Sequence, residues 1–290
     1  MDKRTPNQYH FVFGLKKQTE PFHLMFYLCI ESCWHINKPD KIFFYYHYEP
    51  YGRYWDLVKE KLTMVQVELS SVVTQKFKFE NRAQRAYSYA LHSDFIRLEK
   101  LVEHGGVYAD LDSIFVNKMP DRLYSYPFVL GREIDFDDKA TRQSRASLCN
   151  AFIMSQPGAE FGKLWLRQME DSWDSQLLTK HSTLLPYELS QQYPELVHIE
   201  PQRSFFHHSY TREGIRRLFE ECDRDVHGIY SLHLWSHLWW SRWRRDFSSF
   251  HAGKLTEDFI RHFDTTYNIL ARPYLPQPSK RYPLQFGFKP

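Results

Sequence analysis

SDFIRLEKLVEHGGVYADLDSIFV, residues Ser93 to Val116, decides the fold of this chain. Upstream, Ala86, Tyr89, Ala90, Leu98, Leu101 and Val102 recur at steps of three and four, which predicts a helix over Asn81 to His104, and Gly105-Gly106 stops it. A strand is expected next, from Val107 to Val116. Side chains alternate along a strand, so Tyr108, Asp110 and Asp112 should share one face while Val107, Ala109 and Leu111 take the other. Two carboxylates on one face of a folded core repel each other and are costly to desolvate unless a cation lies beside them. Mg²⁺ or Mn²⁺ meets that need, taking one or two carboxylates and filling its remaining positions with phosphates and water. Taken alone, an Asp-x-Asp triplet reads as a solvated turn. Its place after a long helix, a Gly-Gly stop and an apolar strand favours a binding site.

Working outward, Tyr9 to Gly14 reads as a short strand and Phe22 to Trp34 as a helix. Lys41 to Tyr48 reads as an aromatic strand, Arg53 to Lys61 as a short helix and Met64 to Leu69 as a third strand. Strand and helix alternate, which predicts an α/β fold with a mostly parallel central sheet flanked by helices and a ligand site at the carboxyl ends of the strands. In the less regular second half, Asp135 to Arg145 reads as a charged loop, Asn150 to Ser155 as a strand and Phe161 to Asp174 as a helix. Residues 1–272 are taken as one domain and the Pro-rich stretch 273–290 as a tail over the surface.

Bulk numbers narrow the class. Hydrophobic residues at 42% and charged residues at 25% exclude a disordered or fibrous chain. Lys plus Arg exceed Asp plus Glu by 38 − 35 = 3, too little to make nucleic acid a partner. The aromatic share of 17% supplies many rings that could stack on sugars or bases, or simply fill a core. Cys29, Cys33, Cys149 and Cys222 are too scattered for a disulfide framework and are expected as buried free thiols. Met1 to Glu20 lacks the apolar segment of a signal peptide, and Phe22 to Ile30 is too short to cross a bilayer. A cytoplasmic protein is expected, or one of the Golgi lumen if a membrane anchor has been trimmed.

Ser93-Asp94, Arg97 three residues on, and Gly105-Gly106-x-Tyr108-x-Asp110-x-Asp112 resemble the donor-site pattern of the DXD-motif sugar transferases, glycosyltransferase family 32 and the related clostridial glucosylating toxins. CNAFIMSQPGAEF, Cys149 to Phe161, is similar to the family's Asn-Ala segment, and YSLHLWSHLWW, Tyr230 to Trp240, to its His-x-Trp segment. The resemblance runs from about Tyr9 to Trp240. It implies a GT-A fold and retaining transfer of a hexose or N-acetylhexosamine from a nucleotide-sugar donor, expected to be a UDP-sugar. The acceptor would be a glycan or a lipid-linked molecule. A nucleotide-sugar-binding homologue without turnover is the alternative.

The resemblance also implies roles. Asp112 would bind Mn²⁺ or Mg²⁺ directly, Asp110 would reach the ribose and the metal shell, and His233 would complete it, preferred over His237 by the His-x-Trp pattern. Asp94 and Arg97 would lie over the sugar and phosphate, with Arg97 and the metal stabilising the leaving diphosphate. The residues by themselves also permit a surface ion pair there, three apart on a helix. Tyr108 would support the donor pocket or simply pack. Asn150 would contact the sugar or end a strand in a turn. Backbone at Phe11, Val12 and Phe13 would lie under the base, with Trp235 beside the donor. His233 to Arg245, with Trp235, Trp239, Trp240 and Trp243 among arginines, would be a lid over the donor or a peripheral contact with a membrane. Donor and acceptor selection is expected in Asp135 to Arg145 and Phe205 to Arg216.

Overall fold

Short runs of β-branched and aromatic residues, separated by helices, build a seven-stranded sheet in the order β10-β6-β9-β4-β1-β2-β3. The computed structural model of the chain describes residues 4–138, 143–174, 177, 179–236 and 254–277. In chain order the strands are β1 Gln8–Val12, β2 Lys41–Tyr46, β3 Thr63–Gln66, β4 Gly106–Ala109, β5 Ser113–Phe115, β6 Phe128–Arg132, β7 Phe136–Asp138, β8 Gln143–Arg145, β9 Leu148–Ser155, β10 His198–Glu200 and β11 Ser231–His233. Six strands of the main sheet run one way and β9 runs against both its neighbours, β4 and β6. The mostly parallel sheet read from the sequence is therefore present. Chain order reverses at β1, which sits between β2 and β4, and crevices at such switch points open at the carboxyl ends of the strands.

Alternation along the strands divides the core between the two faces. Tyr9, Phe11, Val107 and Ala109 pack with the helix Leu24–Asn37 and with Phe205 and Phe206. Val12, Tyr108, Leu130 and Ile153 pack with residues of the helices Ser88–His104, Glu160–Met169 and Leu185–Gln192. Gly105 and Gly106 carry the chain from the long helix into β4 at φ of 66° and 114°. A Cβ on Gly105 would meet Pro157 at 2.6 Å, and one on Gly106 the Gln8 carbonyl at 2.6 Å, so both positions require glycine.

The structure corrects several readings. The strand expected over Val107 to Val116 breaks at Asp110-Leu111-Asp112: β4 lies in the main sheet, whereas β5 pairs antiparallel with β11 in a separate two-stranded sheet. The two carboxylates stand where the chain leaves one sheet for another, so strict alternation does not place them. The helix expected over Asn81 to His104 is divided at Tyr87 into Arg82–Ala86 and Ser88–His104. The loop expected at Asp135 to Arg145 contains the β7-β8 pair, and Phe205 to Arg216 falls largely in the helices Gln202–Phe206 and Arg212–Phe219. Cys29, Cys33 and Cys149 are buried free thiols, but Cys222 is exposed. Among the described residues no helix is long and apolar enough to cross a membrane. The chain passes residue 272 in the 3-10 turn Arg272–Tyr274. Residues 278–290 of the expected tail lie outside the described residues, as do His237, Trp239, Trp240, Arg242, Trp243, Arg244 and Arg245.

Candidate functional site

A helix that precedes a strand and runs back along it brings its first turns to the strand's carboxyl end. Asp94 and Arg97, early in Ser88–His104, thereby meet the residues that follow β4. Both are buried, at 8% and 5% exposure, which excludes the surface ion pair. The Arg97 guanidinium donates through Nε to the Ser93 carbonyl (3.2 Å) and through Nη1 to the Asn150 carbonyl (2.9 Å). Nη1 also lies 3.1 Å from Asp110 Oδ1, and Nη2 lies 3.0 Å from Ser93 Oγ and 3.3 Å from Asp94 Oδ1. All three nitrogens are thus engaged, and the group stands 4.4 Å over the Tyr108 ring. Burial alone would lower the Arg97 pKa, but Asp110, Tyr108 and Asp94 outweigh it and raise it.

Asp94 accepts from Asn150 Nδ2 at 2.7 Å and lies 2.9 Å from His181 Nε2. Burial alone would raise its pKa; the charge of Arg97 and these hydrogen bonds hold it below the ordinary aspartate value. Asn150 sits inside β9, so the strand-end turn is not its setting. Tyr108 is buried and its hydroxyl donates to Asp110 Oδ1, so it both packs and positions.

On the other side of Asp110, the β5-β11 pairing brings His233 opposite Ser113. His233 Nε2 lies 2.9 Å from Asp112 Oδ1 and 3.7 Å from Asp110 Oδ2. The chain then wraps Asp112: Leu234 N–H donates to its carbonyl (2.7 Å) and Ser236 N–H to Oδ2 (2.7 Å). Trp235, between them, takes the left-handed conformation at φ 56°, costly for a non-glycine residue and a mark of a built site. Its indole N–H donates to the His208 carbonyl (2.8 Å), and its ring packs edge-on against His233 with centroids 4.2 Å apart. Burial alone would lower the His233 pKa; Asp112 chiefly, with Asp110 and Glu133, raises it above the ordinary histidine value. One ligand atom from each of Asp110, Asp112 and His233 lies within 4.8 Å of the others. Two carboxylates and an imidazole form a donor set that fits Mn²⁺ or Mg²⁺.

All the expected side chains, Asp94, Arg97, Tyr108, Asp110, Asp112, Asn150, His233 and Trp235, fall into these two linked groups. Phe11 and Val12 are buried near the carboxyl end of β1, and the Phe13 N–H donates to the Tyr45 carbonyl at 3.0 Å. Sequence reasoning missed four residues. His181 completes the Asp94 shell. Lys16, just beyond β1, stands 4.1 Å over the Tyr89 ring, and Tyr89 lies within the field of Asp112 and Asp110. Glu133 follows β6, is buried, and is pushed up to about 7 by burial, which His233 and Ser147 only partly offset. A buried acid directly after an apolar run, FVLGRE, is the signal that could have singled it out.

Residues 28–129 match the family model described as a glycosyltransferase sugar-binding region containing DXD motif. The chain is 30% identical over 278 residues to Glucan organizing enzyme 1 of Cryptococcus neoformans var. grubii, covering 93% of this chain and 70% of that protein. Among solved structures it is similar to the PaToxG glycosyltransferase at 14% identity and TM-score 0.48, over 66% of this chain and 71% of that one. It is also similar to mouse xyloside xylosyltransferase 1 at 10% identity and TM-score 0.47, over 78% of this chain and 96% of that one.

Proposed function

The chain belongs to the glycosyltransferases whose sugar-binding region contains a DXD motif, and from that premise we propose that it transfers a hexose or N-acetylhexosamine from a UDP-sugar to a glycan or lipid-linked acceptor. We further propose retention at the anomeric carbon and dependence on Mn²⁺ or Mg²⁺. The observation that carries the reading is the convergence of Asp110, Asp112 and His233 at the carboxyl end of β4, from positions 121 residues apart for Asp112 and His233. These three would hold the ion, whose charge offsets that of the donor diphosphate when bound. The word glucan in the relative's name supports a glycan as acceptor.

The chain's own residues then divide the work. Arg97 and Tyr108 hold Asp110 in place, Asp94 and Asn150 present a polar pair for sugar hydroxyls, and Trp235 fixes His233. Backbone at Phe11 to Phe13 lies under the base. With its nitrogens already engaged, Arg97 acts first by orienting Asp110 and Asn150 and reaches a phosphate only by exchanging one of those partners. In front-face transfer the acceptor oxygen bonds to the anomeric carbon as the bond from that carbon to the diphosphate oxygen breaks. The leaving diphosphate keeps the electron pair and takes the acceptor's proton.

The test is a panel of UDP- and GDP-sugars, with Mn²⁺, Mg²⁺ or EDTA, read for sugar release and transfer and for product anomeric configuration by NMR. Turnover of a UDP-sugar with the donor's configuration, abolished by EDTA, is expected. Inversion, or full activity in EDTA, would overturn the corresponding part of the proposal.

A further inference from the structure

We propose that His207, His208 and Asp223 form a second metal site, for a zinc-class transition ion, behind Trp235 and separate from the Asp110, Asp112 and His233 group. One ligand atom from each of the three lies within 4.8 Å of the others. The two histidines follow the helix Gln202–Phe206, and Asp223 follows the helix Arg212–Phe219. Asp223 is held from two sides: its N–H donates to Thr266 Oγ1, and its Oδ1 accepts from the Asp225 N–H, both at 2.9 Å. The second carboxylate oxygen is the one left to a ligand.

His208 is 3% exposed, and its ring makes no hydrogen bond among the described residues. Two imidazoles and one carboxylate, with a remaining position for water, suit Zn²⁺, whereas the oxygen-richer group at Asp110 suits harder ions.

Nearby cations are already matched. Arg203 touches His207 Nε2 at 3.4 Å, a long contact, while it bonds Asp225 Oδ2 and the His227 carbonyl at 2.7 Å each. Arg217 pairs with Glu213. The consequence for the donor site runs through the backbone: the His208 carbonyl accepts the Trp235 indole N–H, and Trp235 packs against His233. An ion on His207 and His208 would fix that carbonyl and hence the wall behind His233.

None of the three ligands belongs to the donor site, so metal binding here can be read separately from sugar transfer. The 290-residue chain carrying Asp112→Asn is stripped with EDTA, dialysed and titrated with Co²⁺ or Zn²⁺ alone, with visible cobalt absorption and bound-metal analysis as readouts. One equivalent should bind, and adding His207→Ala or Asp223→Asn should weaken it at least about tenfold while leaving the metal-free circular dichroism unchanged. In the chain with native Asp112, His207→Gln should lower bound zinc by one ion. Should Asp112→Asn not fold, that second measurement decides alone. Absence of binding in Asp112→Asn, or equal binding after either added substitution, would overturn the site. Equal zinc content in His207→Gln and the unsubstituted chain would do the same.

Discussion

Arg97 and His233 approach Asp110 from opposite sides, and the two sides are built differently. The Arg97 side is a closed electrostatic network: two carboxylates, a guanidinium, an amide and an imidazole, each with a partner. The His233 side gathers groups that compete for the same space, with Asp110, Asp112 and an imidazole inside a 4.8 Å span and Glu133 held near neutrality beyond them. A charge network of the first kind contributes to folding because removing one member strands the others. A convergent group of the second kind costs stability until a cation arrives. The two sides of Asp110 thus differ in kind: one holds it by ion pair and hydrogen bond, and the other gathers candidate ligand groups beside it.

The widest effect on this contrast should come from Arg97→Met, which leaves Asp94 and Asp110 buried without their cation. A loss of about 3 to 5 kcal/mol is expected in urea unfolding. A loss below about 1 kcal/mol would show that the network does not bear on folding. Asp112→Asn should do the reverse, keeping near-native stability while turnover with metal and UDP-sugar falls at least about a hundredfold, or about 2.7 kcal/mol in barrier. Full turnover in that variant would dissolve the distinction between the sides.

Protonation offers a finer separation. Glu133 has a folded pKa raised from 4.5 to about 7, so its favourable contribution is complete below about pH 4.5 and is lost as the pH rises through 7. Glu133→Gln should therefore gain stability over the native chain between pH 5 and 8, by roughly 2 to 3 kcal/mol at the upper end. Asp94 has a depressed pKa, so its contribution is present above the ordinary aspartate value and is lost as the pH falls below it. Asp94→Asn should therefore be less stable than the native chain throughout the range above the ordinary aspartate value and approach it only as the pH falls below that value. Parallel pH profiles for the two variants would erase the electrostatic difference. The smallest change is expected from Tyr108→Phe, which removes one hydrogen bond to Asp110 and should cost about 1 to 2 kcal/mol in stability, read by thermal unfolding.

The alternation of apolar strands and helices, the Gly-Gly stop and the spacing of Asp94, Arg97, Tyr108, Asp110 and Asp112 were legible in the sequence. They depend on local chemistry: periodicity, the glycine requirement of a positive φ, and a motif contained within 20 residues. Tertiary structure alone decided that β9 runs backwards, that the strand breaks at Asp110, and that β5 leaves the main sheet to pair with β11. It also brought His181 to Asp94 across 87 residues and closed Leu234 and Ser236 around Asp112. Those outcomes rest on contacts between distant segments, whose free energy comes from burying surfaces and pairing charges that do not meet until the chain has folded. Local pattern in the sequence singled out Asp94, Arg97, Tyr108, Asp110, Asp112 and His233 as candidates. Only packing decided which of them touch Asp110, and from which side.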